Sequence, residues 1–378
     1  MLSENPSRPT KAIIDLDKIA SNFLATKEFV GRDISYMAVV KADGYGHGAT
    51  QVATRLEAEG VDWFGVAIPE EAVELRAAGI ARPILCLGSF WPGQENLLID
   101  HNITPVVFQI SQLESLDKLG RERNRRVDVH VKIDTGMGRV GIPFSEAAEF
   151  AKTVVGLPNL RVDGLLTHFA AAENPDENDF TRLQINRFDT ACNTFRAAGH
   201  SPSWLDLANS PGAISCPAGR GNMVRLGGAL YGLLDDILSP NTPGPILEPA
   251  LLLRSEVAYL RNVARGTSLG YGRSFIAERD SVIALVPIGY ADGYPRALSN
   301  VGYASIRNRR SPVVGRVSMD WTLFDVTDIE GVRSGDDVIL IGPEPGQPTA
   351  ADIAGLTGTI GYEITCGLTR RVPRIVGG

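Results

Sequence analysis

The sequence predicts an α/β fold: a (β/α)8 barrel of the TIM type followed by a mostly β C-terminal domain. Three observations carry the prediction. Eight short apolar runs recur between residues 36 and 226, stretches of helical spacing separate them, and the texture changes after about residue 240. Runs of four to seven residues rich in Val, Ile and Leu, without strict alternation, suit strands buried on both faces of a parallel sheet. Eight of them alternating with helices over about 200 residues point to a closed barrel, with a doubly wound open sheet as the weaker alternative.

In chain order, "TKAIIDL" is a spare strand outside the barrel count, assignable to either unit. The eight runs then follow: "YMAVVK" (36–41), "WFGVA" (63–67), "ILCLG" (84–88), "TPVVF" (104–108), "VDVHVKI" (127–133), "VDGLLTH" (162–168), "WLDLA" (204–208) and "NMVRLG" (222–227). Between them, "EEAVELRAAG" places Ala72, Val73, Leu75 and Ala77 or Ala78 at helical spacing, with Gly79 where a glycine ends a helix. "DFTRLQINRFDTACNTFRAAG" sets Leu183, Ile185, Phe188 and Phe195 on a similar stripe ending at Gly199. "SPNTPGPILEP" is a proline-rich connector, and beyond it "ALLLRSEVAYLRNV", "SVIALVPIGY", "YASIRNRRSPVVGRVSMDWTLFDV" and "DDVILIG" predict strands joined by Gly, Pro, Asp and Asn turns. The expected division is a barrel at 12–240 and a β domain at 241–378, with the N-terminal strand within 1–16 able to pack on the second unit.

The 378 residues carry a formal charge of -7, which argues against a nucleic-acid or anionic-membrane partner, because both need a basic surface. The cysteines, Cys86, Cys192, Cys216 and Cys366, form no C-x-x-C pair and are expected as reduced thiols. The polar start "MLSENPSRPTK" lacks a signal-peptide core, and no later segment has the roughly 18 apolar residues of a membrane span, so a cytoplasmic location is expected.

Functional groups of a barrel collect at the C-terminal ends of its strands, with phosphate often held after strands seven and eight. Lys41 ends the first run and His168 the sixth; Asn209 and Ser210 follow the seventh; Arg225, with Gly227 and Gly228, closes the eighth. Singly, each has a bland explanation: a lysine after a strand is usually a solvated loop residue, and "NSPG" or "RLGG" alone is only a turn. Converging on one barrel mouth, they suit an aldehyde cofactor that carries a phosphate and an aromatic ring. Gly44, Gly46 and Gly48 after Lys41 match neither a Walker loop nor G-x-G-x-x-G. His47, His101, His130, His168 and His200 show no H-E-x-x-H pattern, and no metal is expected.

"AVVKADGYGHGA" resembles the cofactor-lysine segment of the alanine racemase family. "VKIDTGMGRVG", "THFAAAE", "LANSPGA", "MVRLGGALYGL", "LGYGRSF", "PIGYADGYPR", "GRVSMDWTLFDV" and "GYEITCGLTRRVPR" resemble further segments of that family, in order, over nearly the whole chain. The resemblance implies a pyridoxal-phosphate (PLP) enzyme interconverting L- and D-alanine, with Lys41 bonded to the cofactor. An imine conjugated to a pyridine ring spreads the charge left when the α-proton is removed, which is why a lysine is required. The resemblance further implies a phosphate site at Ser210, Gly227, Gly228, Tyr45 and Tyr362, with Asn209 also cofactor-binding and His168 against the ring. Arg225 would stand where a carboxylate would otherwise keep the pyridine nitrogen protonated.

On the same resemblance, Lys41 serves one face of the substrate and Tyr271 the other, and Arg139 positions that tyrosine and the substrate carboxylate. Tyr271, Met319 and Asp320 would reach the active site of a partner subunit, with Tyr290 narrowing the entrance, so the implied assembly is a homodimer with shared sites. Lys132 matches a lysine that is carbamylated in some relatives; pairing to an acidic residue is the alternative. The D-alanine would feed peptidoglycan or be consumed. Other readings are a racemase for serine, lysine or a broad range of amino acids, a PLP-binding protein without catalysis, and a fold-related decarboxylase.

Overall fold

The computed structural model describes residues 8–240 and 242–377. Of the stretch 1–16, residues 1–7 lie outside the described residues, as do Asn241 and Gly378 in the second unit. Strand β1 (Lys11–Ile14) comes first, and Asp15 caps the helix Leu16–Val30 by accepting from the Lys18 amide at 2.9 Å. Next come β2 (Ser35–Val39), β3 (Trp63–Val66), β4 (Ile84–Cys86), β5 (Thr104–Val107) and β6 (Val127–Asp134). The short β7 (Ile142–Pro143), β8 (Leu160–Leu166), β9 (Trp204–Asp206) and β10 (Met223–Leu226) complete the N-terminal unit.

All eight predicted runs contain a strand. The parallel ladder runs β5-β4-β3-β2-β10-β9-β8-β6, and a further β5–β6 pairing closes it into a barrel, so the open-sheet alternative is excluded. Met37, Trp63, Leu85, Val106, Leu166 and Met223, drawn from six different strands, are buried together in one cluster. This is the side-chain filling expected inside a closed barrel.

The spare strand is settled by its register. β1 pairs antiparallel with Leu251–Glu256 and parallel with Arg374–Val376, so residues 11–14 join the C-terminal sheet. That six-stranded sheet, a three-stranded sheet and a two-stranded ribbon make up the second unit, which also holds the helices Ala350–Thr357 and Gly361–Cys366 that the strand reading did not anticipate. Helix Pro69–Ala77 buries Ala72 and Leu75, and Gly79 follows it at φ +90°, the left-handed exit that favours glycine. The stripe assigned to helix Asn178–Ala197 needs one correction: Leu183 is exposed, and the core face consists of Thr181, Gln184, Phe188, Ala191, Cys192 and Phe195. A polar residue took the core position because Gln184 spends its amide on the barrel loops. All four cysteines are free, and no helix among the described residues is long and apolar enough to cross a membrane.

Candidate active site

A cleft of about 620 Å3 opens at the C-terminal end of the barrel. The residues expected at the strand ends, Lys41, His168, Asn209, Ser210, Arg225, Gly227 and Gly228, all line it, together with Tyr45, Lys132, Arg139 and Tyr362. Tyr362 comes from the C-terminal unit, so the second domain helps to wall the mouth. Tyr271, Tyr290, Met319 and Asp320 are not among its lining residues, and Tyr271 is 71% exposed. Tyr290 and the Met319 segment are neighbours: the Tyr290 amide donates to Ser318 O at 3.0 Å and the Ala291 amide to Met319 O at 3.1 Å. Asp320 is held by Arg371 at 2.7 Å.

Lys41 follows β2 and starts an unusual turn. Ala42, Asp43, Gly44 and Tyr45 have φ of 54°, 52°, 62° and 55°, one turn of left-handed helix. Such backbone costs roughly 1–2 kcal/mol per non-glycine residue and persists only when its surroundings hold it. Here Asp43 accepts from the Ala49 amide at 2.8 Å, Glu71 accepts from the Ala42 amide at 2.7 Å, and His47 Nδ1 donates to the carbonyls of Gly44 and Tyr45 at 3.1 and 3.0 Å. Gly46 has no room for a side chain, since a Cβ there would lie 2.1 Å from Thr365 O.

Burial lowers the pKa of the Lys41 amine below the usual lysine range; Arg139 and Arg225 lower it further, while Glu71 and Cys366 oppose them. The shift raises the share of the neutral amine, the form that accepts a proton.

One side of the cleft has the shape of a phosphate cradle. The hydroxyl of Ser210 accepts from the Gly227 amide at 2.8 Å and the Ala229 amide at 3.4 Å. A Cβ on Gly227 would sit 2.6 Å from the Tyr45 hydroxyl, and one on Gly228 would sit 2.3 Å from the Tyr362 hydroxyl. Two phenol hydroxyls therefore converge over bare backbone. Burial pushes both tyrosines far above the usual phenol range, so both stay protonated and able to donate. Asn209 caps the short helix beginning at Ser210, its side chain accepting from the Gly212 amide at 3.1 Å.

A buried charge cluster lies across the mouth. Arg225, 4% exposed, is ion-paired through Nη1 with Asp206, which is fully buried. Its Nη2 donates to Thr167 O at 2.9 Å, Leu207 O at 3.2 Å and His168 Nδ1 at 3.1 Å. As an acceptor, Nδ1 carries no proton, and burial together with Arg225 drives the His168 pKa well down, so the ring is neutral. Lys132 donates to Thr167 O at 3.0 Å, and its pKa is pushed well down, first by burial and then by Arg225. Gln184 braces the same loop, donating to His168 O at 3.0 Å and Thr135 Oγ1 at 3.1 Å. Asp134 accepts from the amides of Gly136 and Gly138 and shapes the loop that presents Arg139.

Asp206, Gln184 and Glu71 escaped the sequence reading. Asp206 left a usable signal, a charge inside the apolar run "WLDLA" one strand away from Arg225; the other two look like ordinary polar helix positions.

Paired hydroxyls over bare glycines, beside a lysine, a neutral histidine and a buried arginine, fit a cofactor with a phosphate, an aldehyde and an aromatic ring. Among the described residues, no group of three or more His, Cys, Asp or Glu could hold a metal ion.

Comparison with known proteins points to one family. The family model "Alanine racemase, N-terminal domain" matches residues 14–235, and "Alanine racemase, C-terminal domain" matches residues 250–376. An alanine racemase of Geobacter sp. (strain M21) is 43% identical over 377 residues, covering 98% of this chain and 99% of the relative. The crystal structure of alanine racemase from Streptomyces lavendulae superposes with a TM-score of 0.93 at 34% identity, covering 99% of this chain and 98% of that one. Alanine racemase from Bartonella henselae, solved with covalently bound pyridoxal phosphate, superposes with a TM-score of 0.87 at 30% identity, covering 98% and 99%. With both units matched by their own family model and relatives aligned almost end to end, the chain belongs to the PLP-dependent alanine racemase family.

Proposed function

We propose that the barrel mouth interconverts L- and D-alanine on PLP by a two-base division of labour, Lys41 serving one face of the substrate and Tyr271 of a second copy of the chain the other. Bound PLP supplies the electron sink that makes the α-proton of alanine acidic. Ser210, Tyr45, Tyr362 and the Gly227–Gly228 backbone would hold its phosphate, and neutral His168 would lie on the side of its ring. Arg225 contributes a permanent cation that is kept in place by Asp206 rather than by solvent. Lys41, its pKa lowered by burial, takes or returns the proton on its face. Arg139 binds the substrate carboxylate.

The observation that carries the second half of the proposal is the position of Tyr271. It is exposed on the C-terminal unit and outside the lining of the cleft that its own chain forms, as are Tyr290 and Met319; Asp320, half-buried next to Met319, lies outside that lining too. A partner's barrel offers these residues a mouth to complete, which makes the active assembly a homodimer with shared sites. Trp321, at 44% exposure beside the same segment, adds apolar area to that face.

The test is subunit mixing. Lys41→Ala and Tyr271→Phe proteins are each inactive; exchanged into mixed dimers, they regain part of the activity, because one of the two mouths then has both bases. Absence of recovery after exchange has been demonstrated contradicts the shared site.

A further inference from the structure

We propose that Glu71 is a positioning residue for Lys41, tying the backbone that follows the lysine to the neighbouring strand end and supplying the carboxylate that opposes the arginines around the amine. The inference rests on the reading of Lys41 as the cofactor lysine and proton-transfer group, and extends it to a residue outside the mouth.

Glu71 is the third residue of helix Pro69–Ala77, where Glu or Gln commonly caps. Its Oε2 does that work, accepting from the amides of Ala67 at 2.7 Å and Ile68 at 3.3 Å, just beyond β3. The other oxygen, Oε1, reaches across to the Ala42 amide at 2.7 Å, the first residue of the left-handed turn. One carboxylate thus fastens two strand-end loops together.

Helix Ile110–Glu122, two strands further around the barrel, is an internal comparison. Gln112 holds the matching third position and caps with Oε1 alone, accepting from the amides of Phe108 at 3.0 Å and Gln109 at 3.1 Å. Its Nε2 donates to the hydroxyl of Ser89 at 2.8 Å. A glutamine is therefore enough for capping. What residue 71 needs in addition is a second acceptor, because an N–H faces it. A glutamine that kept the cap would turn an NH2 toward that N–H.

The charge has its own role. The groups acting on the Lys41 amine are Arg139 and Arg225, which lower its pKa, and Glu71 and Cys366, which raise it, all on top of burial. Removing the Glu71 charge leaves the arginines less opposed, so the amine loses its proton at still lower pH. Activity that needs neutral Lys41 then rises at lower pH.

The experiment uses the full-length holoenzyme and compares Glu71→Gln with Glu70→Gln. Glu70 is the adjacent carboxylate on the same turn, and it accepts from Gln94 rather than from Ala42. Glu71→Gln is expected to fold, with a somewhat lowered melting temperature, and to retain bound cofactor. Its kcat should fall by roughly tenfold or more through misplacement of Lys41. The acid limb of its kcat/KM profile, and the pH at which the cofactor absorbance titrates, should both move to lower pH. Glu70→Gln should match the wild type in all three. A folded Glu71→Gln with wild-type kcat, pH profile and absorbance titration overturns the proposal, as does an equal displacement in Glu70→Gln. If Glu71→Gln does not fold, Glu71→Asp keeps the charge and shortens the reach: lowered kcat with an unmoved pH limb is expected, and wild-type kcat overturns the anchor. Borohydride reduction and peptide mapping of the wild type examine the underlying reading separately, since cofactor found on a residue other than Lys41 removes that reading whatever Glu71 does.

Discussion

Replacing Gly228 with alanine isolates the proposed phosphate cradle. The backbone at Gly228 is not in the left-handed region, so the main chain accepts a side chain without strain. The obstacle is the Tyr362 hydroxyl 2.3 Å from the new Cβ, with Ile237 Cγ2 at 2.9 Å on another side. Ordinary carbon contacts lie near 3.5 Å, so the hydroxyl has to retreat by about 1 Å, enough to break a hydrogen bond. A bond to a charged group contributes roughly 1.5–3 kcal/mol, which corresponds to PLP binding weakened roughly 10- to 150-fold. The assay is titration of the cofactor-stripped protein with PLP, followed by absorbance, for Gly228→Ala, Tyr362→Phe and the double variant. Because both single changes remove the same hydroxyl from the cradle, the double variant should lose much less than the sum. Wild-type affinity in Gly228→Ala, or strictly additive losses, refutes the assignment of these residues to the phosphate.

Other expectations follow from the same geometry. Asp206→Asn strands Arg225 in a buried site and should cost roughly 3–5 kcal/mol in denaturant unfolding, with an unchanged midpoint contradicting the ion pair's role. Tyr271→Phe should stop racemisation while retaining solvent deuterium uptake from D-alanine on the Lys41 face; equal loss of uptake from both enantiomers at full cofactor occupancy contradicts the two-base division. Acid should destabilise the fold through its buried imidazoles. Burial pushes His47 down to about 4 and His130 down to about 3, so both are neutral in the folded chain while their unfolded counterparts take a proton near 6.5. The stabilisation is full above pH 6.5 and declines by roughly 1.4 kcal/mol per pH unit and histidine as the pH falls toward those values. His130→Leu should therefore lose less between pH 7 and pH 5 than the wild type in a thermal melt; parallel losses contradict this.

The barrel was legible because its strands are buried on both faces, which leaves dense apolar runs at regular intervals, and because strand ends index the mouth. Lys41, His168, Ser210 and Arg225 are far apart in sequence, yet each sits within a few residues of the C-terminal end of a strand. β1 was ambiguous for a physical reason: an isolated strand carries no record of its partners, and its antiparallel and parallel neighbours lie some 240 and 360 residues away. Leu183 was misplaced because an apolar residue on a helix need not face the core when Gln184 serves three loop groups there, accepting from the Ala170 amide and donating to His168 O and Thr135 Oγ1. Glu71 and Asp206 were invisible for related reasons. A capping glutamate looks the same whether it holds one loop or two, and a buried aspartate is recognisable only once its arginine is seen one strand away. Tyr271 stood out through family resemblance alone; in the fold it is 71% exposed and outside the lining of the cleft.

The central claim is racemisation of alanine at the PLP-loaded mouth. The most direct measurement is incubation of the purified, PLP-loaded protein with L-alanine, and separately with L-serine and L-lysine, followed by chiral chromatography. The expected result is conversion of L-alanine to an equal mixture of both enantiomers, much faster than any change in serine or lysine, and abolished in Lys41→Ala. L-alanine left unchanged by protein with bound PLP would contradict the account.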